Sequence, residues 1–339
     1  MINEAIKSLI KKEELAPSTV EEVMDEIMTG KATPAQMAAY LTALEMKGAT
    51  VNEITASAKG MRKAGTPLKH NGSVFEIVGT GGDCSNSFNI STTASIVIAA
   101  AGVKVAKHGN RAASSKSGAA DCLEALGVNI TLEPEDNAEV LKECGICFLF
   151  AQKYHAAMRY VGPVRRELGI KTIFNILGPL TNPAAADMEV MGVYDESLVE
   201  PMARVLYNLG VKRGMVVYGT DRLDEISVSA PTKICEFCNG EFKEYTVSPE
   251  DFGYGIYNKE DISGGTGEEN AEITEGILSG KIKGAKRAAV VMNAGCGLYI
   301  AGKAASFSEG VKLAEELIDS GRAEAELNSF IRATNAKRA

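Results

Sequence analysis

Long apolar runs, a leader peptide and an excess of basic residues are all missing from this sequence. The longest apolar stretches, residues 96–105 and 288–301, are interrupted and too short to cross a bilayer. Glu4, Glu13 and Glu14 stand where a secretion signal would have its apolar core. The net charge of −8 would repel a polyanion. We therefore expect no membrane insertion and no nucleic-acid partner, and we predict an intracellular, cytoplasmic protein.

The cysteines do not form the regular framework of a disulfide-rich protein. There are seven, an odd number that fits a reducing compartment. The CxxC pairs Cys144/Cys147 and Cys235/Cys238 suggest zinc at first sight. However, Cys147 lies in the apolar run ICFLF, and on a strand Cys235 and Cys238 would point to opposite faces. Buried thiols are therefore favoured over a metal site.

The hydrophobic pattern divides the chain into two parts. With 45% hydrophobic residues, the chain can fill one large core or two domains. The first sixty or so residues show only helical signals, including capping boxes that begin at Ser18, Thr33 and Thr50. From Val74 onward, short strand runs alternate with helical patterns. This order predicts an α/β fold in which a mostly parallel central sheet is flanked by helices, beside a small N-terminal helical domain.

The predicted domains are a helical domain over 1–70, joined by a returning helical segment near 160–180, and an α/β domain over 71–339. Residues 226–247 read as short strands that form hairpins at the sheet edge, and Ser197 is expected to cap a helix. Gly264, Gly265 and Gly267 suggest a flexible loop before the late helices.

A glycine-rich turn follows the first strand run, in GTGGDCSNSFNIST at residues 79–92. Glycines let backbone N–H groups approach a phosphate, and a helix that begins near Ser91 would add its own N-terminal donors. The spacing matches neither a Walker A loop nor a GxGxxG fingerprint. Taken alone, the turn could equally be a structural connection between a strand and a helix.

A basic segment follows the second strand run, in KHGNRAASSKSGAAD at residues 107–121. Lys107, His108, Arg111 and Lys116 stand there among glycines, alanines and serines, so we do not expect a salt-bridged surface helix. Cations with N–H and O–H donors suit a multiply charged phosphate. Both segments follow consecutive strands, and open α/β sheets bind ligands at the carboxyl ends of their strands.

Two adjacent acids, Asp224 and Glu225, follow the strand run GMVVYG. Adjacent carboxylates at a strand end are suitable ligands for a hard, partly hydrated cation that bridges to substrate phosphates. The alternative is a turn with two exposed acids, which would be the better interpretation if the pair were considered alone.

The same motifs together resemble one family. GTGGD (79–83), FNIST (88–92), KHGNR (107–111), SSKSG (114–118), LDE (223–225) and the stretch 155–183 are similar to the anthranilate phosphoribosyltransferase family, over essentially the whole chain. The resemblance implies a magnesium-dependent enzyme that joins the phosphoribosyl group of 5-phosphoribosyl 1-pyrophosphate to the amine of anthranilate. It also implies a homodimer joined through the helical parts.

The resemblance assigns roles to three sets of residues. Those implied for phosphoribosyl pyrophosphate are Gly79, Gly82, Asp83, Ser87, Asn89, Ile90, Ser91, Thr92, Lys107, His108, Gly109, Asn110, Arg111, Ala112, Ala113, Ser114, Ser115 and Ala119. Those implied for Mg²⁺ are Ser91, Asp224 and Glu225. Those implied for anthranilate are Gly79, Asn110 and Arg165. The chain departs from the family pattern at Cys84, Ser87, Ala112, Ala119, Ala156 and Tyr218.

The planar guanidinium of Arg165 suits a carboxylate on the acceptor, although an exposed helix arginine is the plain alternative. His108 and His155 receive no general-base role, because a lone histidine is as often structural.

Two other functions remain open: a pyrimidine nucleoside phosphorylase, and a relative that binds nucleic acid without catalysis. The negative net charge and the Asp224–Glu225 pair oppose the second.

Overall fold

The N-terminal part of the chain is entirely helical. The computed structural model describes residues 1–112 and 116–337. Its first four helices are α1 (Ile2–Ile10), α2 (Pro17–Met28), α3 (Pro34–Lys47) and α4 (Val51–Ala64). The capping boxes of Thr33 and Thr50 are confirmed, with both reciprocal hydrogen bonds formed in each. The prediction for Ser18 is wrong, because Pro17 already occupies the first helical position and Ala16 precedes it.

A seven-stranded sheet forms the centre of the larger part. Its strands are β1 (Phe75–Gly79), β2 (Val105–Gly109), β3 (Ile146–Phe150), β4 (Met188–Gly192), β5 (Arg213–Gly219), β6 (Thr232–Cys238) and β7 (Glu241–Val247). Their order is β3-β2-β1-β4-β5-β6-β7, parallel from β3 to β5 and antiparallel beyond. The predicted parallel sheet and its edge hairpin are confirmed, but residues 226–230 are not a strand.

Helices connect the strands and cover both faces of the sheet. They are α5 (Ile90–Ala99), α6 (Ala119–Ala125), α7 (Pro134–Cys144), α8 (Ala151–Tyr154), α9 (Met158–Leu168), α10 (Phe174–Leu177), α11 (Val199–Asn208), α12 (Gly267–Leu278), α13 (Ala285–Ile300), α14 (Phe307–Asp319) and α15 (Arg322–Ala336). Ser197 does not cap a helix. Instead, Asp195 accepts a hydrogen bond from the Ser197 N–H at the start of a short 3-10 turn before α11.

Two hydrophobic cores lie on opposite faces of the sheet. One contains α5, α13 and α14 with the side chains of β1, β2 and β3 that face them. The other joins α1–α4 to α9, α10 and α11 and to the opposite sheet face, where Met191, Val216 and Phe237 are fully buried. The N-terminal helices therefore complete their core with residues far away in the sequence, including the segment after α8.

Of the four cysteines in the two CxxC pairs, Cys144 is the last residue of α7 and the other three lie on strands. Cys147 is buried in β3, Cys235 is buried in β6, and Cys238 is exposed at the end of β6. Cys235 and Cys238 therefore point to opposite faces, as their spacing predicted. Among the described residues, no helix has both the length and the apolar character that a membrane span requires.

Candidate active site

Two glycines at strand ends let an acidic segment cross the sheet edge. Gly79 of β1 and Gly192 of β4 are register partners at the carboxyl ends of their strands. A Cβ atom on Gly192 would overlap the carbonyl oxygen of Asp224, and one on Gly79 would overlap the Asp224 carboxylate. The absence of side chains at both positions therefore allows Asp224, which follows β5, to reach over β4 to the end of β1.

The glycine turn after β1 is held by this acidic segment. The Gly81 N–H donates to Asp224 Oδ2 at 2.7 Å, and the Thr80 N–H donates to the Gly192 carbonyl at 2.9 Å. Gly81 and Gly82 adopt positive φ angles of 69° and 75°, and Cys84 has a φ of 58°. Glycine adopts such angles without steric cost, whereas a residue with a side chain, such as Cys84, adopts them at a cost.

The second half of the turn is pinned by the segment that precedes α12. The Phe88 N–H donates to the Ile262 carbonyl at 3.0 Å, and the Gly264 N–H donates to the Asn86 carbonyl at 2.9 Å. A Cβ atom on Gly264 would lie 2.6 Å from the Phe88 backbone. Close backbone packing therefore requires a glycine at position 264, and the flexibility predicted for this loop stays a prediction.

The start of α5 connects the turn to the other phosphate segment. Asn89 precedes the helix, and its Oδ1 accepts from Ser117 Oγ at 3.1 Å and from Asn270 Nδ2 at 2.8 Å. The Ser91 N–H donates to Glu225 Oε1 at 3.1 Å. The N-terminus of α5 therefore opens toward the acidic pair, and its position is fixed by three separate parts of the chain.

Asp224 and Glu225 are buried, with side chains only 8% and 9% exposed. The alternative of an exposed turn is therefore wrong. Burial raises the pKa of Asp224, with the Asp83 carboxylate adding to the effect, and burial followed by the Asp224 charge raises the pKa of Glu225. Neither carboxylate forms an ion pair within the part of the chain that the structure describes. Two buried anionic oxygen ligands without a protein cation fit a hard divalent ion such as Mg²⁺.

Lys107 lies in the middle of β2 and is only 3% exposed. Its Nζ donates to the His108 carbonyl at 3.2 Å and lies 3.8 Å from Glu76 Oε1. The ammonium group is thus held in a fixed place at the floor of the cleft, where it can face an anionic ligand.

Arg111 is not the free cation that its sequence context suggested. Its Nη1 lies 2.9 Å from Asp121 Oδ1 and 2.8 Å from Glu124 Oε2, so two acids of α6 compensate its charge. Arg111 lies outside any helix, as expected, but the residues next to it in the sequence did not reveal its acid partners, because both are more than nine residues away. Asp121 Oδ2 also accepts from the N–H groups of Ala112 and Gly118, each at 2.9 Å.

The opposite wall of the cleft comes from α8, α9 and α10. Arg165 is half-buried near the end of α9, and its guanidinium carbon lies 5.6 Å from the centre of the Phe174 ring. Burial lowers the pKa of Arg165, and no acid pairs with it within the described ranges. The guanidinium is therefore a desolvated cation with unused donors, not an exposed helix arginine.

Two histidine rings meet between these walls. The His108 and His155 ring centres are 5.1 Å apart. His108 Nε2 and both ring nitrogens of His155 have no hydrogen-bond partner among the described residues. Burial lowers the pKa of His155 to about 4, and burial, followed by the neighbouring His155 and Lys107, lowers the pKa of His108 further below its usual range. Both rings are neutral at physiological pH and are weak bases.

All these parts line one cleft of about 700 Å³. Every described residue that the family resemblance implied lies on its wall, while Ala113, Ser114 and Ser115 lie outside the described residues. Sequence reasoning did not assign a role to several other lining residues: Met61, Thr80, Met158, Phe174, Asn175, Gly178 and Pro179. The stretch 155–183 contained the signal for most of them, but nothing in it showed which side chains would face the β1 and β2 loops.

Comparison with known proteins agrees along the whole chain. Residues 3–65 match the helical bundle domain of a glycosyl transferase family, and residues 71–324 match its a/b domain. The anthranilate phosphoribosyltransferase of Methanobrevibacter smithii is 60% identical over 336 residues, which cover 99% of this chain and 100% of that protein.

Two solved structures have the same fold. The anthranilate phosphoribosyltransferase of Thermus thermophilus is 44% identical with a TM-score of 0.93, over 98% of this chain and 99% of that one. The Saccharomyces cerevisiae enzyme, in complex with PRPP and Mg, is 26% identical with a TM-score of 0.92, over 99% of this chain and 98% of that one. The chain therefore belongs to the anthranilate phosphoribosyltransferases of this glycosyl transferase family.

Proposed function

We propose that this chain transfers the phosphoribosyl group of 5-phosphoribosyl 1-pyrophosphate to the amine of anthranilate. The products are N-(5-phosphoribosyl)anthranilate and pyrophosphate, which makes this the second step of tryptophan biosynthesis. One observation carries the proposal: a single cleft joins a phosphate turn and a buried acid pair on one wall to the uncompensated guanidinium of Arg165 on the other.

The donor is proposed to bind along the ends of β1 and β2. Backbone N–H groups of the turn around Gly82 and of the start of α5 are suited to phosphate oxygens, and Lys107 adds a fixed positive charge. Asp224 and Glu225, with Ser91, would hold Mg²⁺, which when bound supplies charge neutralisation for the departing pyrophosphate. The other residues that the resemblance implied for phosphoribosyl pyrophosphate, from Ser87 to Ala119, would shape this pocket.

Anthranilate is proposed to bind between Arg165 and the ends of β1 and β2. Its carboxylate would accept two parallel hydrogen bonds from the Arg165 guanidinium, and Gly79 and Asn110 would border the ring. The new bond joins the amine nitrogen to ribose C1 as the bond from C1 to pyrophosphate oxygen breaks. Because the transition state gathers positive charge on the ribose, positioning and electrostatics contribute more than a strong base. This agrees with the neutral state of His108 and His155.

The proposed assembly is a cytoplasmic homodimer joined through the helical part. Met1, Ile10 and Met46 of this part are large apolar residues that are 43%, 71% and 82% exposed. Such a surface favours a protein partner. Free thiols at the exposed Cys84 and Cys238 fit a reducing compartment. Sedimentation velocity should show a dimer at micromolar concentration, and Ile10→Glu with Met46→Glu should shift it toward monomer, whereas Ile256→Glu should not.

A direct assay tests the activity. Formation of phosphoribosylanthranilate should require both substrates and should rise strongly on addition of Mg²⁺. A thermal-shift series separates the rival functions, because the donor with Mg²⁺ should raise the melting temperature while thymidine with phosphate and single-stranded DNA should leave it unchanged. Stabilisation by thymidine or DNA without product formation would contradict the proposal.

A further inference from the structure

Two glutamates lie side by side beneath the cleft. Glu76 of β1 and Glu189 of β4 are register partners on adjacent parallel strands. Register partners on neighbouring strands lie about 5 Å apart and point to the same face. Both side chains are buried, with 0% and 1% exposure. Glu189 and Met191 point to the same face of the sheet, and Val190 between them points to the other face. Met191 packs in the core that contains the N-terminal helices. The pair is thus sealed from solvent.

The hydrogen bonds of the two carboxyl groups are unequal. Glu76 Oε2 accepts from the His108 N–H at 2.9 Å and from the Asn182 side-chain amide. Glu76 Oε1 lies 3.8 Å from Lys107 Nζ, which is beyond hydrogen-bond distance. Glu76 Oε1 and Glu189 Oε1 both lack a hydrogen-bond partner within the described chain. Two adjacent buried acids therefore each have one unsatisfied oxygen.

Two cations act on the pair through their charge, Arg62 on Glu189 and Lys107 on both acids, but neither donates a hydrogen bond to it within the described chain. Lys107 of β2 faces Glu76, whereas the donors of Arg62 on α4 go to the carbonyls of Leu180 and Leu209 at 2.8 and 3.1 Å. The nearby His108 and His155 are neutral. Two ionised carboxylates at this spacing would repel each other strongly in a dry interior, so the pair should carry one proton.

We propose that Glu76 and Glu189 share one proton, carried by Glu189, and that the remaining charge on Glu76 positions Lys107 for the donor pyrophosphate. One O–H donated by Glu189 to Glu76 Oε1 gives both unsatisfied oxygens a partner. Glu76 is then a positioning residue that acts through Lys107 and through the backbone of β2. The inference rests on the proposed function in one respect only, that Lys107 binds the pyrophosphate of the donor substrate.

The expected order of ionisation agrees with this arrangement. Burial, followed by the adjacent Glu76, raises the pKa of Glu189 well above its usual range. Burial also raises the pKa of Glu76, but Lys107, the His108 N–H and Asn182 oppose the increase. Glu76 is therefore the member that keeps its charge.

The test compares Glu189→Gln with Glu76→Gln. A glutamine at 189 still donates a hydrogen bond to Glu76, so the donor KM should stay within about twofold of the wild type and the melting temperature should hardly change. A glutamine at 76 removes the charge that faces Lys107. The donor KM should then rise about tenfold while the anthranilate KM is unchanged, and Glu76→Asp should recover part of the loss.

Infrared spectroscopy gives a readout that does not depend on activity. At neutral pH the wild type should show the carbonyl stretch of a buried protonated carboxylic acid, and Glu189→Gln should lose that band. Absence of the band in the wild type, or a large drop in melting temperature for Glu189→Gln, would mean that both acids are ionised and would overturn the inference. A wild type that shows the band but makes no product would refute the proposed function and leave the proton-sharing pair standing.

Discussion

Asp224/Glu225 and Glu76/Glu189 are two pairs of adjacent buried acids within one fold, and their surroundings differ. Asp224 and Glu225 lie at the cleft, accept N–H bonds from Gly81 and Ser91, and form no ion pair within the described residues. Glu76 lies in the closed interior, with Lys107 beside it and an asparagine amide on its other oxygen. Both pairs are buried, Asp224 and Glu225 at 8% and 9% exposure and Glu76 and Glu189 at 0% and 1%.

The difference lies in where the compensating charge comes from. An acid pair that the protein supplies with its own cation and proton is compensated within the fold, whereas a pair left without them at a cleft is suited to a cation that arrives with the ligand. Burial alone therefore does not separate structural from functional acids. The two kinds of acid are separated by whether the surrounding protein supplies a cation and a proton to compensate their charge.

The largest effect is expected from Asp224→Asn with Glu225→Gln. Magnesium-stimulated turnover should fall at least about a hundredfold, because the hard anionic ligands are lost. The melting temperature should stay the same or rise, since the amide oxygens can still accept from Gly81 and Ser91 while the repulsion disappears. Turnover at several Mg²⁺ concentrations and thermal unfolding are the measurements.

The matched control is Glu135→Gln with Asp136→Asn, which removes two adjacent acids at the start of α7, away from the cleft. It should leave turnover unchanged. Unaltered magnesium activation in the variant of Asp224 and Glu225 would show that this acid pair does not hold the metal ion.

Arg165 extends the comparison to the opposite charge, because it is a half-buried cation without an acid partner in the described chain. Arg165→Ala should raise the anthranilate KM by about one to two orders of magnitude, the value of a charge-assisted hydrogen bond of roughly 1.5–3 kcal/mol. The donor KM should be unchanged. Arg166→Ala, at the exposed neighbouring position, should affect neither. A rise in the donor KM alone would reverse our placement of the two substrates.

Gly192 tests whether the position of Asp224 matters as well as its charge. In Gly192→Ala the new methyl group would overlap the Asp224 carbonyl, so the acid segment must shift. We expect turnover to fall about tenfold, because small displacements at a metal site are costly. The Mg²⁺ concentration needed for half-maximal activity should also increase. Gly255→Ala is the control, since no atom lies within 4 Å of its Cβ position. Normal magnesium dependence in Gly192→Ala would show that the segment tolerates the shift.

Glu326 offers a lone acid for comparison, with one buried oxygen unpaired among the described residues. Burial raises the pKa of Glu326 from 4.5 to about 7. As the pH rises, this carboxyl group therefore ionises at a lower pH in the unfolded chain than in the folded one. Glu326 thus destabilises the fold increasingly as the pH rises from 4.5 to about 7. Relative to the wild type, Glu326→Gln should melt about one to three degrees higher at pH 8 and equally at pH 4.5. The exposed Glu324→Gln is the control. A gain that does not vary with pH would contradict this cause.

Features set by neighbouring residues could be predicted from the sequence. The capping boxes of Thr33 and Thr50 depend on residues three positions apart, and the glycine turn with its helix follows β1 directly. Ser18 failed for an equally local reason, since proline at position 17 fixes the helix start two residues earlier. The family motifs extended this local information to a set of residues that the structure brings to one cleft.

Features set by strand register and by distant partners could not be predicted. The pairing of Gly79 with Gly192, and the passage of Asp224 above them, require the order β1-β4-β5, which no local pattern reveals. The compensation of Arg111 by α6 and the adjacency of Glu76 and Glu189 arise in the same way. Periodicity shows which face a residue takes, but it does not show which strand lies beside it.

The hydrophobic core shared between α1–α4 and the sheet affects how the chain folds during its synthesis. The helices leave the ribosome first, yet their apolar faces are covered by residues as late as Met191 and Phe237. At typical elongation rates, the gap between Ala64 and Phe237 lasts on the order of ten seconds or more. During that interval the N-terminal helices lack their packing partners, and their apolar faces are exposed to aggregation.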